Sequence, residues 1–134
     1  MTVALEIPTD DRFVGLVRHL AAQAARRAEL SEEQIDDVRV AVSEVVANAF
    51  AAQRRAGAAD PVRVEIGIDH EIRVAVLDRG DGVDMAVLDL PGTEPDEPTL
   101  GLLITRALVD DLRIERRQGG GSEVCLIVTR EPSA

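Results

Sequence analysis

The chain has 134 residues, 46% of them hydrophobic and 1% aromatic, enough for one core and too few for two, so a single domain over 1–134 is expected. A net charge of −10 argues against direct binding to nucleic-acid backbone, which needs basic surface to displace counterions, and the scarcity of rings removes stacking platforms for single strands. Every basic side chain other than histidine is arginine, and the absence of lysine rules out Schiff-base chemistry and a Walker A phosphate loop.

Val3 to Ile7 is expected to form a first strand ended by Pro8. Asp10 or Asp11 then caps a helix to about Ala28, with Phe13, Leu16, Val17, Leu20 and Ala24 at helical spacing. Ser31-Glu-Glu-Gln34 has the form of a capping box for a second helix reaching about Arg55. Val62 to Ile68 alternates as a half-buried strand, Asp69-His-Glu71 turns, and Ile72 to Leu77 returns antiparallel.

Asp78 to Pro98 reads as an irregular loop, long enough to be a ligand lid. A helix follows over Leu100 to Asp111, then a strand from Leu112 to Arg116. Gln118-Gly-Gly-Gly121 makes a hairpin tip and Glu123 to Thr129 the closing strand. With helices mostly early and strands mostly late, the expected fold class is an α+β two-layer sandwich. A mainly antiparallel mixed sheet is covered on one face by helices.

Cys125 is alone, so no disulfide framework or cysteine metal cluster can form, and His19 and His70 are too few and too differently placed for zinc. No basic-then-apolar leader opens the sequence and no apolar run approaches bilayer length. A soluble cytoplasmic protein without a membrane partner is expected.

The second helix carries the first chemical signal. Ile35, Val38, Val42, Val45 or Val46, and Ala49 form one apolar face for the sheet. Glu44 and Asn48, the only asparagine, share a different face one turn apart, beside Ala41 and Ala51. A carboxylate and a carboxamide placed where little else is polar need a metal, water or ligand to satisfy them. The plain alternative is a Glu44 salt bridge to arginine with Asn48 bonded to a nearby loop.

Three glycine-bearing stretches complete the set. Asp78-Arg-Gly-Asp-Gly82 leaves an apolar strand, fixing a carboxylate at the strand end beside glycines that permit close backbone approach; a bulged turn would look similar. Thr99-Leu-Gly101-Leu102 lies where the loop enters a helix, whose N–H groups can face an anion, or else Gly101 serves only the loop exit. Gly119-Gly-Gly-Ser122 precedes the last strand as an ordinary hairpin would.

Taken in order, these pieces resemble the ATP-binding fold shared by gyrase, MutL and sensor histidine kinases, over nearly the whole chain. Glu44 and Asn48 match its N box, Asp78, Gly80 and Gly82 its D-x-G-x-G box, and Gly101 with its helix the second glycine box. Ser122 falls where that family often has a threonine. The small size and the run Leu102 to Asp110 look most like the anti-sigma factor serine kinases.

The resemblance implies ATP and Mg²⁺ as cofactors, with Asn48 as metal ligand and Glu44 as general base on an attacking hydroxyl. It further implies that Asp78 accepts a hydrogen bond from the adenine amino group, that Gly80 and Gly82 make room for the base, and that Thr99, Gly101, Leu102 and Ser122 complete the nucleotide site. The implied partners are a sigma factor and an anti-anti-sigma protein of the STAS type, and the implied state is a homodimer. Thr99 standing where the family has glycine, Ala52 four residues after Asn48 and an acidic lid define the alternative, a regulatory binding module without kinase activity. A third possibility is a structural domain in which Glu44 and Asn48 are satisfied core groups.

Overall fold

The structure is a computed structural model that describes residues 1–81 and 97–131. Helix α1 (Arg12–Arg27) is capped by Asp10, whose carboxylate accepts the Arg12 N–H at 3.0 Å, while Asp11 in the N-cap position makes no such bond. Its salt link to Arg12 holds the Asp10 carboxyl down at about 2. Helix α2 (Glu32–Ala56) begins in the expected capping box: Ser31 Oγ accepts the Gln34 N–H, and Gln34 Oε1 accepts the Ser31 N–H. Gln34 Nε2 also donates to the Thr129 carbonyl at 2.7 Å, pinning the start of α2 to the sheet. Gly57, at φ +64°, ends α2 in the left-handed cap that favours glycine.

Five strands, β1 (Thr2–Ile7), β2 (Val62–Ile68), β3 (Glu71–Leu77), β4 (Asp111–Arg116) and β5 (Ser122–Thr129), form one sheet in the order β1-β2-β3-β5-β4. All four pairings are antiparallel, so the expected mixed character is absent from the described strands. The register pairs Val64 with Val76, Val74 with Leu126 and Ile114 with Val124, which puts the apolar half of each alternation on one face. The helices cover that face, giving the anticipated α+β sandwich. Arginines and glutamates such as Glu65, Arg73, Arg113 and Glu123 occupy the other.

Small side chains set how closely the helices lie. Ala21, Ala22, Ala25, Ala41 and Ala49 are all buried, and Phe50 is the largest fully buried side chain, with no exposure. Truncating a buried phenylalanine such as Phe50 to alanine costs about 3–5 kcal/mol.

The third helix, α3 (Glu97–Leu108), starts three residues before the expected Leu100 and stops before Asp111. Pro98 reads as a loop breaker in sequence, yet proline is well accommodated in a first helical turn, where its missing N–H has no intrahelical role. At the other end Asp110 is drawn into the sheet: its N–H donates to Ile127 and its carboxylate accepts the Thr129 N–H at 2.7 Å. Most of the expected lid, including Gly82, lies outside the described residues. No described helix is long and apolar enough to cross a membrane.

Candidate functional site

Helix α2 carries Glu44 and Asn48 half-buried on the side that meets α3, while its neighbouring stripe of Val38, Val42, Val45 and Ala49 is buried. Where the helices cross, Gly101 faces Glu44 closely: a Cβ there would stand 2.6 Å from Glu44 Oε2 and 3.5 Å from Asn48 Nδ2. Gly101 sits in the second turn of α3, so its amide belongs to the helix ladder and is not among the free N–H groups of the first turn. The glycine admits the Glu44 carboxylate. No ion pair joins Glu44 to any described arginine, which removes the plain salt-bridge reading of that residue.

Asp78, 3% exposed, stands where β3 ends. Its N–H donates to the Ser122 carbonyl at 3.0 Å, and its Oδ1 accepts the Gly80 N–H at 2.8 Å. Burial pushes the Asp78 carboxyl above its ordinary value. The backbone N–H groups of Gly80 and Ser122 and the Arg117 charge oppose that rise, and Asp81 adds to it. Gly80 is required by packing, since a Cβ there would fall 2.5 Å from the Ala52 backbone of α2.

Asn48, Asp78, Leu102 and Ser122 line one pocket, with Val45, Ala49 and Ala52 as part of its apolar wall. Arg55 and Asp81 sit in the same lining, joined by two bonds of 2.7 and 3.1 Å that hold the Asp81 carboxyl below its usual range. The pocket volume is about 30 Å³, room for one water. Thr99 is half-buried in the first turn of α3 and is not part of this lining.

Several contributors escaped the sequence reading. Gln53, fully buried, accepts the Arg79 N–H at 3.0 Å and donates to Thr9 Oγ1 and the Asp60 carbonyl, each at 2.7 Å. A signal existed: Gln53 lies seven residues after Val46 on the apolar stripe of α2, where a polar residue needs partners. Arg79 and Arg117 link the Asp78 loop to the β4–β5 turn, and no spacing in the sequence announces that contact.

A buried carboxylate at a strand end stands beside an apolar slot and an acid–amide pair on the covering helix, within an antiparallel α+β sandwich. The chain belongs to the histidine kinase-like ATPase domain family, which matches residues 7–128. It is similar to the serine-protein kinase RsbW of Oceanobacillus iheyensis, 29% identical over 128 residues that span 87% of this chain and 80% of that one. The anti-sigma F factor of Clostridium acetobutylicum is 28% identical over 115 residues, 81% of this chain and 80% of that one. In solved structures, the RsbU and RsbW domains of Rv1364c from Mycobacterium tuberculosis share the fold at a TM-score of 0.69 and 19% identity, covering all of this chain and 34% of that one.

Proposed function

We propose that this protein is an ATP-dependent protein serine kinase and anti-sigma factor that binds a sigma factor and phosphorylates a serine on an anti-anti-sigma protein of the STAS type. It acts as a single-domain cytoplasmic protein and as a homodimer. The observation that carries the reading is the juxtaposition at the α2–α3 crossing. Glu44 and Asn48 share one helical face, Gly101 leaves space for the Glu44 carboxylate, and Asp78 stands in the adjoining pocket.

The residues suit the chemistry. Asp78 accepts from the adenine amino group, Leu102 and the alanines of α2 flank the base, and Ser122 closes the strand side. Gly82 and Thr99 belong to the nucleotide site by their place in the motifs. No group of three or more histidine, cysteine or acidic side chains able to hold a metal exists among the described residues. Mg²⁺ is a hard ion that keeps waters and phosphate oxygens and needs few protein ligands, and Asn48 Oδ1 would be the ligand from this chain. ATP supplies the phosphoryl group, and Mg²⁺ offsets the charge on its oxygens. Glu44 takes the proton of the acceptor serine hydroxyl as that oxygen bonds to the γ-phosphorus, while the bond to the bridging oxygen breaks and its electron pair leaves with ADP. Val40, Leu100 and Ile104, exposed near the same crossing, offer apolar surface to an incoming protein.

Labelled ATP with candidate STAS-type antagonists tests the reading, with phosphate expected on a partner serine. Glu44→Ala should keep Mg-ATP binding and lose transfer, whereas Asn48→Ala should lose binding and keep the fold. Unchanged nucleotide affinity in the Asn48 variant would sink the assignment. The narrow pocket, with the Arg55–Asp81 pair in its lining, favours a second reading, a regulatory module that binds its partner without catalysis. Calorimetry that finds no saturable Mg-ATP binding selects that reading.

A further inference from the structure

The turn between β4 and β5 is tied to the Asp78 loop from both sides. Arg117 Nη1 donates to the Asp78 carbonyl at 2.9 Å, and Arg79 Nη1 donates back to the carbonyls of Gln118 at 3.0 Å and Gly120 at 2.9 Å. The turn closes on itself through Arg117 N–H to Gly121 and Gly120 N–H to Arg117. Gly121, buried and at φ +95°, packs so closely on the Asp78–Arg79 backbone that a Cβ has no space. With Gln53 accepting the Arg79 N–H, the backbone polar groups flanking the Asp78 side chain are all committed.

We propose that Arg117 is a positioning residue for Asp78: by holding the Asp78 carbonyl from the β4–β5 turn, it aims the carboxylate into the pocket and sets how well that carboxylate reads an exocyclic amino group. The inference rests on the nucleotide reading above. It assigns the glycine-rich turn a part in ligand recognition.

Among the described residues, the charged and polar groups facing Asp78 are few. Its own loop brings Asp81, which is paired to Arg55 of α2, and Arg79, which is turned to the Gln118 and Gly120 carbonyls. Beside that pair, α2 presents Asn48, β5 presents Ser122, and α3 presents the apolar Leu102. Arg117 is the cation that favours the ionised carboxyl against burial and Asp81. The ionised form is the stronger acceptor at both oxygens, so Mg-ATP binding should fall as pH drops through the raised Asp78 value. Removing the Arg117 charge moves that acid limb to higher pH.

Calorimetric titration of the full chain with Mg-ATP across mildly acid to mildly alkaline pH tests this on wild type, Arg117→Gln, Arg117→Met and Arg117→Lys. Arg117 is half-buried in a turn, and thermal melts check each fold; either neutral variant that folds suffices. The neutral variants should bind roughly tenfold more weakly at the acid end, the scale of one charge-assisted hydrogen bond, with a smaller loss at the alkaline end. Lysine should restore the wild-type limb. Superimposable pH profiles overturn the positioning role while the nucleotide reading stands; a loss at every pH supports aiming through the carbonyl contact without the charge effect. A wild-type chain that binds no Mg-ATP at any pH overturns both.

Discussion

At one end of the pocket Asp78 is 3% exposed, with its backbone bonded to Ser122 and Arg117 and its carboxylate bonded to Gly80. At the α2–α3 crossing Glu44 is half-buried, makes no ion pair with a described residue, and meets a glycine whose lack of a side chain leaves it room. A group that must read a ligand gains from being fixed before the ligand arrives, because the ordering cost is already met by the fold. The proposed proton acceptor gains instead from space around it. The two places differ accordingly in which neighbours are backbone and which are side chain.

That contrast breaks most sharply at the glycines. Gly121→Ala places a side chain at positive φ against the Asp78–Arg79 backbone, so a loss of roughly 3 kcal/mol or more is expected in denaturant unfolding. A wild-type midpoint in that variant would show that the clasp between the two loops is not rigid.

Asp78→Asn should act oppositely on ligand and fold. The folded-state value of Asp78 is raised, so the group stabilises at low pH and that stability is lost as pH rises through the raised value. At neutral pH the asparagine therefore removes a burial cost while its carbonyl still accepts the Gly80 N–H. Melting is expected unchanged or higher, with Mg-ATP affinity down on the order of 100-fold, the scale of a lost hydrogen bond to a charged group. Equal affinity would move base recognition elsewhere.

The smallest effect belongs to Gly101→Ala. The obstacle is the far end of the Glu44 side chain, which can swing aside, and alanine in a helix interior is worth about 1 kcal/mol over glycine. Stability should hold or rise slightly while phosphotransfer falls, because Glu44 is displaced. Wild-type transfer in this variant would sever the link between Gly101 and Glu44.

Much of the fold was legible in local pattern. The alternation of Val62 to Ile68 marks β2 to the residue, and Ser31 with Gln34 marks the start of α2, because period and capping are local properties. The α3 boundary was less legible, since Pro98 is compatible with both a loop and a first turn. In the site, Glu44, Asn48, Asp78, Gly80 and Gly101 were readable from spacing and rarity. Gln53, Arg79 and Arg117 were not, since each acts through a backbone group far along the chain.

The sequence by itself determined the elements, the apolar faces and the order of the motifs, all of which depend on residues within a turn or two of one another. Tertiary structure alone decided why each glycine is there: Gly80 for the Ala52 backbone, Gly101 for the Glu44 carboxylate, and Gly121 for the Asp78 loop. It also decided that the arginines of two distant loops exchange bonds around Asp78. A missing side chain is a statement about what lies opposite, and only the folded chain brings the opposite side within reach.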